Sequence, residues 1–481
     1  MGNGKKVRGG VRRQYGILPF VLEEVEGEGV LTAHAGLTAV VEAARGMGLP
    51  GVVGREVSVK LRERGYTEWE FVESLLCLIA AGGEHVEDLG TLSADGGVSV
   101  LLGHGIPSAA AAKKFLYAFE GRCGGSGEAA GRELFPSDGS WESAPLAGLG
   151  RVNEHVVRQA QASRPERVAT LDHDGTIIES TKRVAAKTYE GTRGYQPSVV
   201  LWAEQDQIVA EEFRDGNVPA GSGVLRMVQR AFAALPKGVE QVNYRADSAS
   251  YQHELLNWLR EEDERTGRPR AIFAISADMS PELKARVLAV TEWHLDPEDS
   301  HRSWGEVDFV PSAPSAKKGR KPDRYLAVRI TPRQKELFAD GSEVKYFAVV
   351  TNDFERDGLA LLQWHRAKAG TVEHTHDILK NELAGGVLPC ERFGANAAWW
   401  RLNVLTYNLL SVLRRVALPP ELERARPKRL RFLVFAKAGE LVRHARTLLV
   451  RVVGRFADAL VRLADIRRLL WQQTPVWQTG G

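Results

Sequence analysis

Two strand-length runs that each stop at a carboxylate constrain this chain more than any other feature. The first, residues 167–171, runs into Asp172-His173-Asp174-Gly175-Thr176, and the second, residues 239–245, runs into Ala246-Asp247-Ser248. A sheet exposes side chains to a cleft at its strand ends. Carboxylates that converge there repel one another unless a cation or shared protons hold them. Further strands are expected at 197–202 and 207–213, punctuated by Gly216 and Gly221. A helix over about 251–265, a strand at 271–275 and a helix at 281–291 follow. Strands first, then strand and helix in alternation, predict an α/β core on a mixed sheet.

The rest of the chain divides around this core. Its 481 residues leave room for roughly three domains. Residues 1–15 read as a basic flexible arm. Residues 16–150 read as a helical domain, with a capping box at Thr67-Glu68-Trp69-Glu70 and another helix at 109–120. A Gly/Ser-rich loop at 121–131 marks its edge. The core begins at 151–292. Residues 293–350, with Trp293, Trp304, the basic loop 317–321 and alternating strands at 325–330 and 345–350, read as a β-rich insertion. Residues 351–415 return to helices at 371–383 and 396–416. Residues 416–481 read as a helical basic region with an amphipathic stretch at 441–470.

Charge and cysteine usage narrow the class. The net charge of +3 conceals fifteen Lys or Arg against five acids between residues 411 and 471, a local +10. Such asymmetry suits a polyanion partner, or a solvated basic helix face. Cys77, Cys123 and Cys390 are too few and too scattered for a disulfide framework or a cysteine zinc cluster. No apolar run approaches the ~18 residues that span a bilayer. No hydrophobic stretch follows the basic N-terminus, and Lys6 stands where a myristoylation signal needs Ser or Thr. A cytoplasmic protein without membrane contact is expected.

Two families match the acidic segments. Asp172-His173-Asp174-Gly175-Thr176 resembles the nucleophile motif of haloacid-dehalogenase-type phosphatases, with Asp172 as nucleophile and Asp174 as acid/base. Asp353-Phe354-Glu355-Arg356-Asp357 loosely imitates that family's last metal motif. Three points oppose this reading. The motif lies behind a helical domain, Asn352 replaces the usual Gly, and strands follow where that family has a cap or helix.

The second resemblance rests on more of the chain. It takes in Leu171–Thr176, Arg193-Gly194-Tyr195-Gln196-Pro197, Arg245-Ala246-Asp247-Ser248, Tyr346–Asn352 and the run from Thr371-Val372-Glu373 to Glu382. In order and spacing these resemble the DDE transposases of bacterial insertion sequences. They are similar to the cut-and-paste group with a β-rich insertion between the second Asp and the Glu, the transposase DDE domain group 1 type. The resemblance covers about 165–415, and the basic C-terminal region looks like the family's tail.

It implies an RNase H-like catalytic core and an acidic triad of Asp174, Asp247 and Glu373. The family places its first acid just before a small residue and Thr, which selects Asp174 over Asp172. Lys380 follows Glu373 by seven residues, close to two helical turns, so both face one groove. The family's Tyr and Arg, seven and four residues before the Glu, are replaced by Arg366 and Ala369, with His365 and Lys368 beside them. Arg366 and Lys368 are the expected substitutes for that positive charge.

The resemblance further implies two Mg2+ or Mn2+ ions per site and double-stranded DNA as partner, both terminal inverted repeats and target. A homodimer on DNA and a place on the bacterial nucleoid are expected with it. A catalytically inactive DNA-binding relic is the alternative that the altered residues before Glu373 suggest. Trp293 and Trp304 offer surfaces for stacking a flipped-out base, or pack within the insertion. His374 and His376, two apart on a helix, point away from each other and read as core or surface residues rather than a shared metal site.

Overall fold

The apolar alternation at the centre of the chain folds as three antiparallel strands: β1 (Val168–Gly175), β2 (Ser198–Trp202) and β3 (Gln207–Glu212). Two parallel strands, β4 (Gln241–Ala246) and β5 (Ile272–Ala277), lie on the other side of β1. The sheet continues through β6 (His294–Asp296), β7 (Asp299–Val307), β8 (Arg324–Ile330) and β9 (Lys345–Thr351), with β9 antiparallel to β5. The nine strands run β6-β7-β8-β9-β5-β4-β1-β2-β3. The β-rich segment expected at 293–350 thus extends the same sheet in its plane. The computed structural model describes residues 12–15, 21–24, 30–60, 64–120, 142–260, 271–311, 323–332, 343–444 and 447–452.

Period-two alternation sorts the strand residues between two apolar layers. Ala169, Leu171, Val200, Trp202, Val242 and Tyr244 join one core with helices Val224–Ala234, His253–Arg260 and Pro281–Leu288. Val199, Leu201 and Ile208 face the opposite way, into a larger core with the N-terminal helices. Against that second face lie α1 (Gly358–Arg366), α2 (Val372–Asn381) and α3 (Phe393–Val412).

α3 is the pillar of the molecule. Every residue of it except Phe393 is buried, its polar residues included. Its polar side chains find partners, apart from the Trp400 indole nitrogen. Asn408 accepts from the Ile208 amide at 2.8 Å and donates to the Ile208 carbonyl at 2.8 Å, which covers the outer edge of β3. Arg401 pairs with Glu211 and Glu142.

In the N-terminal region, Thr67 caps Glu68–Ala81 as expected. Its hydroxyl accepts from the Glu70 amide at 3.2 Å, and the Glu70 carboxylate accepts from the Thr67 amide at 2.6 Å. Strands at Arg12–Tyr15 and Val21–Glu24 pair antiparallel, so the last part of the expected arm and the first part of the expected helical domain form a hairpin.

The basic C-terminal region also departs from expectation. Gly439–His444 and Thr447–Val452 are antiparallel strands, and the first also pairs with Val30–Thr32. A short window rich in Leu and Val satisfies both periods, and a waiting strand edge from the other end of the chain decides the outcome. The helical stripe expected beyond 452, the basic loop 317–321, Cys123 and the arm 1–11 lie outside the described residues. Among the described residues no helix is long and apolar enough to cross a membrane.

Candidate active site

Asp174 and Asp247 stand level on neighbouring strands. The last pair in the parallel ladder of β1 and β4 is His173 with Ala246, and the next residue on each chain is one of these acids. Adjacent strands run about 4.8 Å apart. Asp247 is half-buried and caps a short turn, accepting from the Ala249 amide at 3.1 Å. Glu373 occupies the exposed first turn of α2, the helix packed across β1 and β2.

The electrostatics record this convergence. Burial pushes the Asp174 carboxyl up to about 6; the nearby Lys368 ammonium opposes the rise, while the charges of Asp247 and Glu373 add to it. Lys368 is buried, with Nζ 3.9 Å from the Asp174 carboxylate. Among the described residues, no three His, Cys, Asp or Glu side chains are drawn together tightly enough to form a metal site as they stand. The donor set nevertheless fits a hard divalent cation: three oxygen donors whose repulsion a cation would relieve.

Asp172 plays a different part. It is fully buried, and both carboxylate oxygens accept from Arg245, from Nε at 2.6 Å and Nη2 at 2.8 Å. The Thr371 hydroxyl closes on it, and Arg245 also donates to the Trp364 carbonyl at 2.5 Å. Asp172, Arg245 and Thr371 each stand two residues before one of the three acids. This buried clamp ties together the ends of β1, β4 and α2 that present them.

A carboxylate so enclosed is closed to phosphorus, which removes the nucleophile of the phosphatase reading. The segment that imitates its metal motif is likewise occupied. Asp353 accepts from the Glu355 and Arg356 amides, each at 3.0 Å, and Asp357 caps α1.

The other expected site residues separate. Lys380 lies on the wall of an open cleft of about 700 Å³ beside Gly175 and Thr176, and its Nζ donates to the Ile177 carbonyl at 2.7 Å. Arg366 is paired with buried Asp296 at 2.8 Å, so its charge is already committed. His365 Nε2 lies 3.1 Å from the Ala246 carbonyl, next to Asp247, and burial lowers its pKa to about 4.

Trp304 lies against α1. A Cβ on Gly358 would come within 2.2 Å of its ring. Trp293 packs against the core on the opposite face, under the Arg329 guanidinium at 4.5 Å. The two tryptophans therefore do not form one stacking surface.

Tyr189 was not singled out in the sequence. It is 75% exposed on the cleft wall, and the charges of Asp174 and Asp247 help raise its pKa, after burial and Glu190. Its only local signal is an aromatic residue before a turn at Gly191. His376, expected in the core or on the surface, is buried with Nε2 3.9 Å from the Asp174 carboxylate.

The profile of a family described as transposase DDE domain group 1 matches residues 21–469. No curated protein matches. A cryo-EM structure of a piggyBac transposase synaptic complex with hairpin DNA is similar to this chain at 9% identity. The match covers 92% of this chain and 82% of that one, with a TM-score of 0.42.

Proposed function

The chain belongs to the transposase DDE domain group 1 family, and on that premise we propose that Asp174, Asp247 and Glu373 are its metal-binding catalytic triad. It is a DNA transposase, a metal-dependent enzyme that cuts and joins DNA. The observation that carries the assignment is the level placement of Asp174 and Asp247 at the ends of adjacent parallel strands, with Glu373 on the helix packed over them. The order β3-β2-β1-β4-β5 supports reading 151–292 and 351–415 as an RNase H-like core. In that reading 293–350 is the insertion, 16–150 the N-terminal DNA-binding domain and 416–481 a basic C-terminal region.

The triad would hold two Mg2+ or Mn2+ ions, which supply an activated water or 3′-hydroxyl and stabilise the leaving oxygen. The protein's own groups prepare the site. The Asp172–Arg245–Thr371 clamp fixes the three acids, and His365 braces the strand that leads to Asp247. Lys368 offsets the carboxylate charge, and Lys380 presents positive charge beside the cleft where a phosphate backbone would run. Arg366 would need to exchange Asp296 for DNA to contribute directly, and Trp304 rather than Trp293 shares the face of the triad. The partners are the element's terminal inverted repeats and target duplex, engaged by a homodimer on the bacterial nucleoid.

Cleavage of duplexes that carry the element's own ends tests this. Wild type should nick with Mg2+, while Asp247→Ala and Glu373→Ala should each abolish nicking and retain end binding. Cleavage surviving in either variant would sink the triad. A wild type that binds ends without nicking in Mg2+ or Mn2+ would mark the copy as an inactive relic.

A further inference from the structure

The triad leaves one polar side chain at the site unexplained. His376 is buried, and neither ring nitrogen makes a hydrogen bond within 3.5 Å, although the Asp174 main chain is near enough to interact weakly with the ring. A neutral imidazole has one donor and one acceptor, and buried polar atoms in native proteins are nearly always paired. What faces this ring is Asp174: its carboxylate Oδ2 lies 3.9 Å from Nε2. Two donors each about 2.1 Å from one ion stand at most about 4.2 Å apart, so a single cation fits between them. His376 also follows Glu373 by three residues on α2, which puts both side chains on one face of the helix. His374, at the wrong spacing, is exposed.

Resting on the triad assignment, we propose that His376 is a fourth protein ligand of the metal site, sharing one divalent ion with Asp174 through Nε2. A neutral imidazole carries a lone pair on one ring nitrogen, and that lone pair is what coordinates a metal. The ligand set then becomes three carboxylates and one imidazole. Imidazole favours Mn2+ and later transition ions over Mg2+, so this site should prefer Mn2+ more strongly than three carboxylates alone would.

Spin-echo modulation spectroscopy of Mn2+, added below stoichiometry to the full-length protein, reads the bond directly. Wild type should show coupling to an imidazole nitrogen that changes to the 15N pattern when histidine is isotopically labelled. His374→Gln should keep the coupling. His376→Gln should lose it and raise the Mn2+ Kd about tenfold or more. His376→Asp, which restores a donor without nitrogen, should bind Mn2+ without the coupling and shift preference toward Mg2+. Mn2+ that binds through Asp247 in wild type without nitrogen coupling overturns the proposal, as does coupling that survives His376→Gln. Mn2+ affinity unchanged in Asp247→Asn would instead overturn the triad.

Discussion

Two aspartates two residues apart on β1 should respond to neutralisation with opposite signs. Asp172→Asn takes the counter-ion from the buried Arg245 guanidinium. Breaking a buried ion pair by removing one partner costs roughly 3–5 kcal/mol, because the other charge is left stranded. Asp174→Asn removes a charge that folding penalises. Its carboxyl is held at about 6 instead of the ordinary 3.8, a penalty of up to about 3 kcal/mol at neutral pH. A raised folded pKa means stability present below about pH 4 that is lost as pH rises through about 6. Without metal, Asp174→Asn should therefore raise the urea midpoint at pH 7.5 and leave it nearly unchanged at pH 4. Asp172→Asn should lower the midpoint at pH 7.5. Equilibrium urea unfolding of the three proteins, metal-free at both pH values, measures this. Equal losses in the two variants at pH 7.5 would refute the division of labour between the aspartates.

Mg2+ or Mn2+ should raise the thermal midpoint of wild type by the linkage RT ln(1 + [L]/Kd), about 2.7 kcal/mol at a hundred times Kd. Asp174→Asn should show little of that gain in the same scan. Gly358→Ala would place a methyl 2.2 Å from the Trp304 ring and should cost about 1–3 kcal/mol. An unchanged melting midpoint would show that α1 and β7 do not pack as described. Tyr189→Ala should weaken binding of cleaved ends, on the order of tenfold for one lost base stack. Titration against intact and nicked end DNA reads this, and equal affinities for the variant and wild type would exclude Tyr189 from the DNA path.

Short runs of β-branched and aromatic residues bounded by turn signals made β1, β2, β3, β4 and β5 legible, because such runs are a local property of the chain. The Thr67 cap was legible for the same reason: its donors and acceptors lie three residues apart. The strands at Gly439–His444 and Thr447–Val452 were not, because their leucines and valines also satisfy a helical stripe. What decides between them is Val30–Thr32, some four hundred residues earlier in the chain. Trp293 and Trp304 looked equivalent in the sequence. They fall on opposite faces of one sheet because a face is a property of register, and register is set by partners.

The same limit explains why motif reading left Asp172 and Asp174 hard to tell apart. Alternation puts both on one face of β1, so neither local pattern nor side-chain direction separates them. The separation comes from the parallel register with β4, which lays Arg245 beside Asp172 and leaves Asp174 level with Asp247. Thr371 then brings α2 onto the same buried carboxylate. Each clamp residue precedes its acid by two positions, so the acids inherit their positions from an ion pair that itself meets neither solvent nor substrate. A cluster of like charges is unfavourable to assemble in the absence of a cation. An interior pair of opposite charge directly behind it offsets part of that cost and fixes the geometry before metal arrives. On this account Arg245→Lys, which keeps the charge but cannot grip both oxygens of Asp172, should impair metal affinity more than fold. Its loss of Mn2+ binding should exceed what its change in unfolding midpoint accounts for.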